Sequence, residues 1–270
     1  MRISYIHQYF NTPDMPGSTR SFEFAKRLAS AGHEVTMITS SRDTTNEINS
    51  KIEIIDNFRV HWIPVSYSNS MSFQRRILSF LIYMLRASFV ASKYKADLVF
   101  ASSTPLTVII PAYISGKIRR APVIFEVRDL WPEVPIGLGY LKGKVKIYFA
   151  KRLERFAYYK SDHLIALSED MKNGILNEGI SAEKVSVIPN SADIQSFRPL
   201  SKKAYFSRFG IKDETKVFVY AGTFGKVNEV DYLVDLANQF KFDDRIYFLA
   251  IGFGSEFERV KSYAKTIGVY

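Results

Sequence analysis

The densest chemistry in this sequence lies in one run, Glu126-Val127-Arg128-Asp129-Leu130-Trp131-Pro132-Glu133. It follows directly on Val123-Ile124-Phe125, an apolar run that reads as a strand. Glu126, Arg128 and Asp129 are therefore the candidate catalytic set. An arginine beside a carboxylate can orient a hydroxyl, share its proton, or balance a developing negative charge. The same residues would also serve as a structural ion pair, with Trp131 as a core plug. A second candidate is the loop Gln8–Arg20, with Asp14 in it as a candidate binding residue. Gly17 can let a ligand approach the backbone, and Ser18 or Thr19 can cap the next helix, whose free N–H groups attract anions. Arg20 puts a cation where the helix dipole disfavours it, a hint of an anionic ligand or simply a solvated side chain.

Two glycine turns offer further backbone donors for phosphate. They are Gly222-Thr223-Phe224-Gly225-Lys226 and Gly252-Phe253-Gly254-Ser255-Glu256. Gly222, Thr223, Lys226, Gly252 and Gly254 are the candidate donor-phosphate residues there. Ser102 and Ser103 open the run Ser102-Ser103-Thr104-Pro105, where helix capping explains the hydroxyls as well as binding does. Asn190 and Asp193 are either turn residues or ligands.

Other chemistries are disfavoured. There is no cysteine, hence no thiolate nucleophile and no cysteine zinc site. The four histidines, His7, His33, His61 and His163, are scattered and fit no metal-ligand spacing. No Asp-x-Asp pair, Walker loop or Gly-x-Ser-x-Gly elbow occurs, so no metal is expected. Phe257 stands where a dinucleotide fingerprint needs its third glycine, so no nicotinamide cofactor is expected either.

These loops need a scaffold that gathers them. Short apolar runs alternate with helical patterns, predicting strands at Arg2–His7, Glu34–Ser40, Phe58–Val65, Asp97–Ser102, Pro122–Val127, His163–Leu167, Val185–Pro189, Lys216–Ala221 and Ile246–Ile251. Several lack alternation, as Phe218-Val219-Tyr220-Ala221 does, which suits strands covered on both faces of a parallel sheet. Ser18–Ala31 puts Phe22, Ala25, Leu28 and Ala29 on one helical face, with Gly32 as the stop. The pattern predicts a doubly wound α/β fold, whose ligands bind beyond the carboxyl ends of the strands. The proline-bracketed stretch Pro189–Pro199 reads as a linker. The expected organisation is a first Rossmann-like domain over 1–189, a linker over 190–215, and the first part of a second such domain over 216–270. So short a second piece buries little apolar surface, which makes the chain read as a fragment or truncated product.

Charge adds a further expectation. Lysine and arginine number 37 against 27 acids, a net charge of +10. Lys142–Lys160 is the densest basic run, with Lys144, Lys151 and Arg155 near one stripe and Phe149, Leu153 and Phe156 on another. The Ser72–Lys93 helix adds Arg75, Arg76 and an apolar body too short to span a bilayer. An anionic membrane surface would suit both helices, and so would sheet packing and plain solvation. No nucleic-acid module is visible. The amino terminus carries no secretory signal, so a cytoplasmic, peripheral protein is expected.

As a set, these motifs resemble GT-B glycosyltransferases. Ala31-Gly32-His33-Glu34-Val35-Thr36-Met37-Ile38-Thr39 is similar to their helix-end and strand signature. Tyr5-Ile6-His7-Gln8-Tyr9-Phe10, the Pro16–Arg20 loop and Val127–Glu133 resemble retaining family 4, and within it the WbuB-type subgroup of O-antigen and capsule synthesis. Val187–Asp193, Tyr220–Gly225 and Gly252–Glu256 are similar to that family's interdomain and glycine-turn segments. The resemblance implies two facing Rossmann-like domains and retaining transfer, without a metal, from a nucleotide-diphosphate sugar to a lipid-linked saccharide. It implies that Gly17 and its neighbours close on the donor and that Arg128 and Asp129 lie near the reacting centre. Where relatives place an arginine and a lysine on the diphosphate, this sequence has Thr223 and Asn228, with Lys226 as a substitute. The family's Glu-x7-Glu pair does not occur in the 270 residues. A non-catalytic binding module and a GT-B sugar-nucleotide epimerase are the rival expectations.

Overall fold

The computed structural model describes residues 1–41, 50–67, 71–194, 197–199, 206, 209–212 and 214–270. It divides into two compact units, Met1–Ser191 and Ala192–Tyr270.

The first unit is a doubly wound α/β domain. Its strands are β1 (Arg2–Ile6), β2 (Glu34–Ser41), β3 (Lys51–Ile55), β4 (Phe58–Pro64), β5 (Leu98–Ser102), β6 (Val123–Val127), β7 (His163–Ala166) and β8 (Val185–Val187). They run in the order β3-β4-β2-β1-β5-β6-β7-β8. Every pair is parallel except β3 with β4. Its helices are α1 (Arg20–Ser30), α2 (Phe73–Lys93), α3 (Ile109–Arg119), α4 (Glu133–Gly137), α5 (Lys144–Lys160) and α6 (Glu169–Asn177).

Both sheet faces are covered, which explains the unbroken apolar runs. Ile6, Ile38, Ala101 and Phe125 face a core completed by Tyr83 and Ala87 of α2, Ile109 of α3, Ala157 of α5 and Ile175 of α6. Tyr5, Met37, Val60 and Phe100 point the other way, toward Phe22 and Ala25 of α1 and toward Phe10. Tyr5 and Phe100 meet edge-on, with centroids 4.6 Å apart.

The edge strand β3 was not expected from the sequence. It joins β4 through a two-residue turn, Asp56-Asn57, with φ of 44° and 67°. Asp and Asn tolerate that left-handed backbone, and such turns match the twist of a hairpin. Glu53 accepts a bond from Trp62 Nε1 at 2.6 Å, fixing the register.

α2 divides its apolar residues between two faces. Tyr83, Ala87, Val90 and Ala91 are buried, while Leu78, Leu81, Leu85 and Phe89 form an exposed stripe. α5 buries Ala150, Ala157 and Tyr158 but exposes Val145, Tyr148 and Phe149. Phe149 thus leaves the partly buried stripe expected with Leu153 and Phe156. Among the described residues no helix is long and apolar enough to cross a membrane.

The second unit contains β9 (Lys216–Ala221) and β10 (Ile246–Ile251), paired parallel, with helices over Asp231–Gln239 and Phe257–Thr266. Its core is Phe224, Val230, Val234, Val260 and Ala264. The strands themselves are not covered on both faces as their sequences suggested, since Phe218, Val219 and Ile251 are exposed. Among the described residues of this unit, the two strands and these two helices leave those side chains uncovered.

Candidate functional site

The carboxyl ends of β1, β5, β6 and β8 gather the polar residues of the first unit. The most deeply placed is Glu126, the fourth residue of β6 and fully buried. Its carboxylate accepts from Arg20 Nε at 2.9 Å and from Ser102 Oγ at 2.5 Å. Arg20 spends its remaining donors on Ile188 O at 2.8 Å, Pro189 O at 2.9 Å and Asn190 Oδ1 at 3.3 Å. Its side chain is 7% exposed. The cation at the start of α1 is thus paired within the domain in this structure. It clamps β6 to the exit of β8, and that clamp is why a cation sits in this first turn. Glu126 here holds Arg20 and Ser102, and Asn190 is one of the clamp's acceptors.

Arg128 belongs to a second set. Its backbone N–H donates to Ser103 Oγ at 3.0 Å and its guanidinium to Ser18 Oγ at 2.8 Å. The guanidinium also meets His7 Nε2 at 3.3 Å, and His7 Nδ1 lies 2.6 Å from Ser21 Oγ. A guanidinium has no lone pair to give, so Nε2 accepts and the ring proton sits on Nδ1, facing Ser21. His7 is 2% exposed and holds Arg128 from below. Sequence reasoning had set His7 aside as one of four scattered histidines. Its position one residue past β1 was the signal available, because strand exits carry the ligands in such sheets. Ser102 and Ser103, read from sequence as caps or ligands, are 0% and 2% exposed and bond Glu126 and the Arg128 backbone.

Asp129 is the group this framework leaves open. The residue is exposed, and no hydrogen bond or ion pair is seen for it among the described residues. Packing around its carboxyl raises its pKa, and the charge of Arg128 works the other way. The arrangement can thus present one fixed cation, Arg128, beside one carboxylate with an altered proton affinity. Asp14 is exposed in the preceding loop. Gly17 has a φ of 131°, and a Cβ there would lie 2.6 Å from Asn11 Nδ2, so Asn11 uses the room its missing side chain leaves.

The glycine turns lie in the second unit and serve first to pack against each other. A Cβ on Gly252 would lie 1.8 Å from Gly222 O, and one on Gly254 would lie 2.3 Å from Phe224 O. Gly222 N–H donates to Ile251 O at 3.0 Å and Phe224 N–H to Phe253 O at 3.0 Å. These glycines are needed for close backbone approach whether or not a phosphate ever arrives. Thr223 and Lys226 are exposed beside them, and Asp193 opens the same unit.

One acidic cluster among the described residues has the spacing to hold a cation. Glu133, Glu154 and Glu178 bring carboxylate oxygens within 4.8 Å of one another. They come from α4, α5 and the end of α6, which is why no sequence spacing announced them. Glu154 is 1% exposed, and burial followed by the charges of Glu133 and Glu178 pushes its pKa up to about 8. The folded state therefore keeps this proton between its ordinary value of 4.5 and about 8, where the unfolded chain has released it. Stability should fall as pH rises through that window and level off above it. Glu154→Gln should flatten the slope and stabilise the protein at alkaline pH. Urea midpoints at about pH 5 and about pH 8.5 check this. An equal pH response in both proteins would refute it.

The comparisons with known proteins bear on this strand-exit framework. The model of "Glycosyltransferase Family 4" matches residues 17–196. The chain belongs to glycosyltransferase family 4. The matched segment takes in α1 with its Arg20 clamp, the β6 exit and the 188–190 carbonyls. WcaI of Escherichia coli K12, named as a colanic acid biosynthesis glycosyl transferase, is 22% identical, covering 96% of this chain and 67% of that protein. The structure of Anabaena HepE in complex with UDP and glucose matches with a TM-score of 0.68 at 17% identity, over 100% of this chain and 67% of its own. Sucrose-phosphate synthase from Thermosynechococcus elongatus matches with a TM-score of 0.73 at 14% identity, over 99% and 68%. The chain thus spans about two thirds of the length of each. The likeness to these structures confirms the α/β, GT-B type fold, and the family makes the protein a glycosyltransferase.

Proposed function

We propose that this glycosyltransferase moves a sugar, with retention, from a nucleotide-diphosphate sugar to a lipid-linked saccharide in the assembly of a cell-surface polysaccharide. The observation that carries the reading is the Arg128 constellation at the β6 exit of a family 4 domain, with Asp129 free beside it. Arg128 balances the negative charge that develops on the leaving diphosphate, and Asp129 positions the acceptor. The loop at Gly17 approaches the diphosphate, with Ser18 held by Arg128. Thr223, Lys226 and the N–H groups of the second unit's glycine turns take the donor. The name of WcaI supports polysaccharide assembly, and the UDP complexes of HepE support a nucleotide-sugar donor. Transfer uses no metal in this reading.

An anionic membrane surface is the proposed setting, on the cytoplasmic side, where a lipid-linked acceptor keeps its head group. The exposed Leu78, Leu81, Leu85 and Phe89 of α2, with Arg75 and Lys93 at its ends, have the composition of an interfacial helix. Val145, Tyr148 and Phe149 of α5 lie among Lys144, Lys146 and Lys151 in the same way.

A panel of nucleotide-diphosphate sugars, incubated with and without lipid-extracted acceptor, tests the reading. Acceptor-dependent consumption of one donor, with label passing into the lipid fraction, is the expected result. Consumption without acceptor would identify an epimerase, and no consumption of any donor would leave a binding module; either sinks the proposal.

A further inference from the structure

The edge of the first unit's sheet that faces away from the candidate site is itself concave and basic. A cavity of about 730 Å³ opens there, lined among others by Tyr113, Lys117, Arg120, Lys160, Asp162 and Lys184. Its volume falls in the range of small-molecule sites. These residues flank the amino-terminal ends of β6, β7 and β8, whereas Glu126 and Arg128 lie at the carboxyl end of β6. A five-residue strand rises about 17 Å, so the cavity and the candidate site are separate.

The charge lining the cavity is not used up internally. Asp162 is its one acid, and its carboxylate accepts from Val123 N–H at 2.7 Å. Lys184 donates to Tyr158 O at 2.9 Å and Tyr159 O at 3.3 Å, and burial lowers its pKa. It therefore serves the carboxyl end of α5. Among the described residues Arg120 and Lys160 have no hydrogen-bond or ion-pair partner, and Lys117 meets only the Tyr113 ring, 5.6 Å from its centroid. Helix carboxyl ends attract cations, which accounts for charge at the ends of α3 and α5. It does not account for the backbone conformation of Arg120. This residue caps α3 at φ 53°, the left-handed position where glycine is the ordinary choice. An arginine stands there against its backbone preference, beside two cations, while the cavity's one acid, Asp162, is held by Val123 N–H.

We propose that this cavity is an anion site for a phosphate-bearing ligand, gripped by Lys117, Arg120 and Lys160, with the phosphate presented either free in solution or on a lipid headgroup. Guanidinium and ammonium groups lining one concave surface offer the donors that phosphate oxygens accept. The site is independent of the glycosyl-transfer reading, because none of its residues belongs to that machinery.

Arg120→Gly separates a binding role from a structural one. Glycine relaxes the left-handed cap, so thermal stability should hold or rise while affinity for inorganic pyrophosphate falls about tenfold, as loss of a charge-assisted contact implies. Lys117→Gln with Lys160→Gln should lower affinity further, with the fold intact by circular dichroism. Calorimetric titration with pyrophosphate at low salt reads the free-ligand arm. Co-sedimentation with phosphatidylcholine vesicles, with and without phosphatidic acid, reads the lipid arm. Saturable binding in either arm that these substitutions weaken supports the site and names its source. Binding in neither arm, or binding that Arg120→Gly and the double lysine variant leave unchanged, overturns it.

Discussion

Glu126→Ala should lower the unfolding free energy of the eight-stranded domain by about 3–5 kcal/mol, the range for breaking a buried, hydrogen-bonded ion pair. Glu126 is 0% exposed, and its partner Arg20 is nearly as deep. Removing the carboxylate leaves a guanidinium without a counter-charge and Ser102 Oγ without its acceptor. Arg20→Ala should also destabilise, since it frees Glu126 as an uncompensated charge and strips donors from the 188–190 carbonyls. The double variant should lose much less than the sum of the two, because the second substitution removes the charge that the first one stranded. Urea unfolding of all four proteins supplies the cycle. A single-variant loss below about 1 kcal/mol would mean that the pair is solvated and the clamp is not a structural element.

Arg128→Ala should reduce kcat/KM for sugar transfer by about 10²–10³-fold, as expected when a preorganised donor to a developing charge is removed. Its midpoint of unfolding should stay close to wild type, because among the described residues the guanidinium bonds only Ser18 and His7 and pairs with no carboxylate. Arg128→Lys should recover part of the rate by restoring charge without the planar fork. Asp129→Ala should also slow transfer. Steady-state kinetics on a single donor and acceptor pair decide the matter. Wild-type turnover in both alanine variants would remove the β6 exit from the chemistry.

The strands were legible because a sheet covered on both faces demands unbroken apolar runs, as at Val123-Ile124-Phe125. The β6 exit was legible for the related reason that ligands gather where strands end. The roles within it were not. Arg20 suggested an anion through its clash with the helix dipole, but its true partners lie 106 and 168–170 residues away. No local argument reaches that far. His7 carried only the signal of lying at the exit of β1, since its pairing with Arg128 spans 121 residues. The edge strand β3 was missed because its Asp56-Asn57 turn is a weaker hairpin signal than Asn-Gly. Glycines at 222, 252 and 254 were legible as close-approach positions, but sequence cannot show that two turns also fill each other's space.

The pairing of β9 with β10 has a colloidal consequence. Among the described residues these strands bond only to each other, so both outer borders of the little sheet carry unanswered N–H and C=O groups. Val219 at 57% and Ile251 at 52% exposure set apolar side chains along the same ribbon. Such a border is adhesive: any extended segment that reaches it can lengthen the sheet, from the same molecule or another. The large domain, sealed by helices on both faces, has no comparable seam except along β3 and β8. Among the described residues this ribbon, with β3 and β8 of the large domain, is therefore the surface where an added extended segment would find backbone partners ready-made.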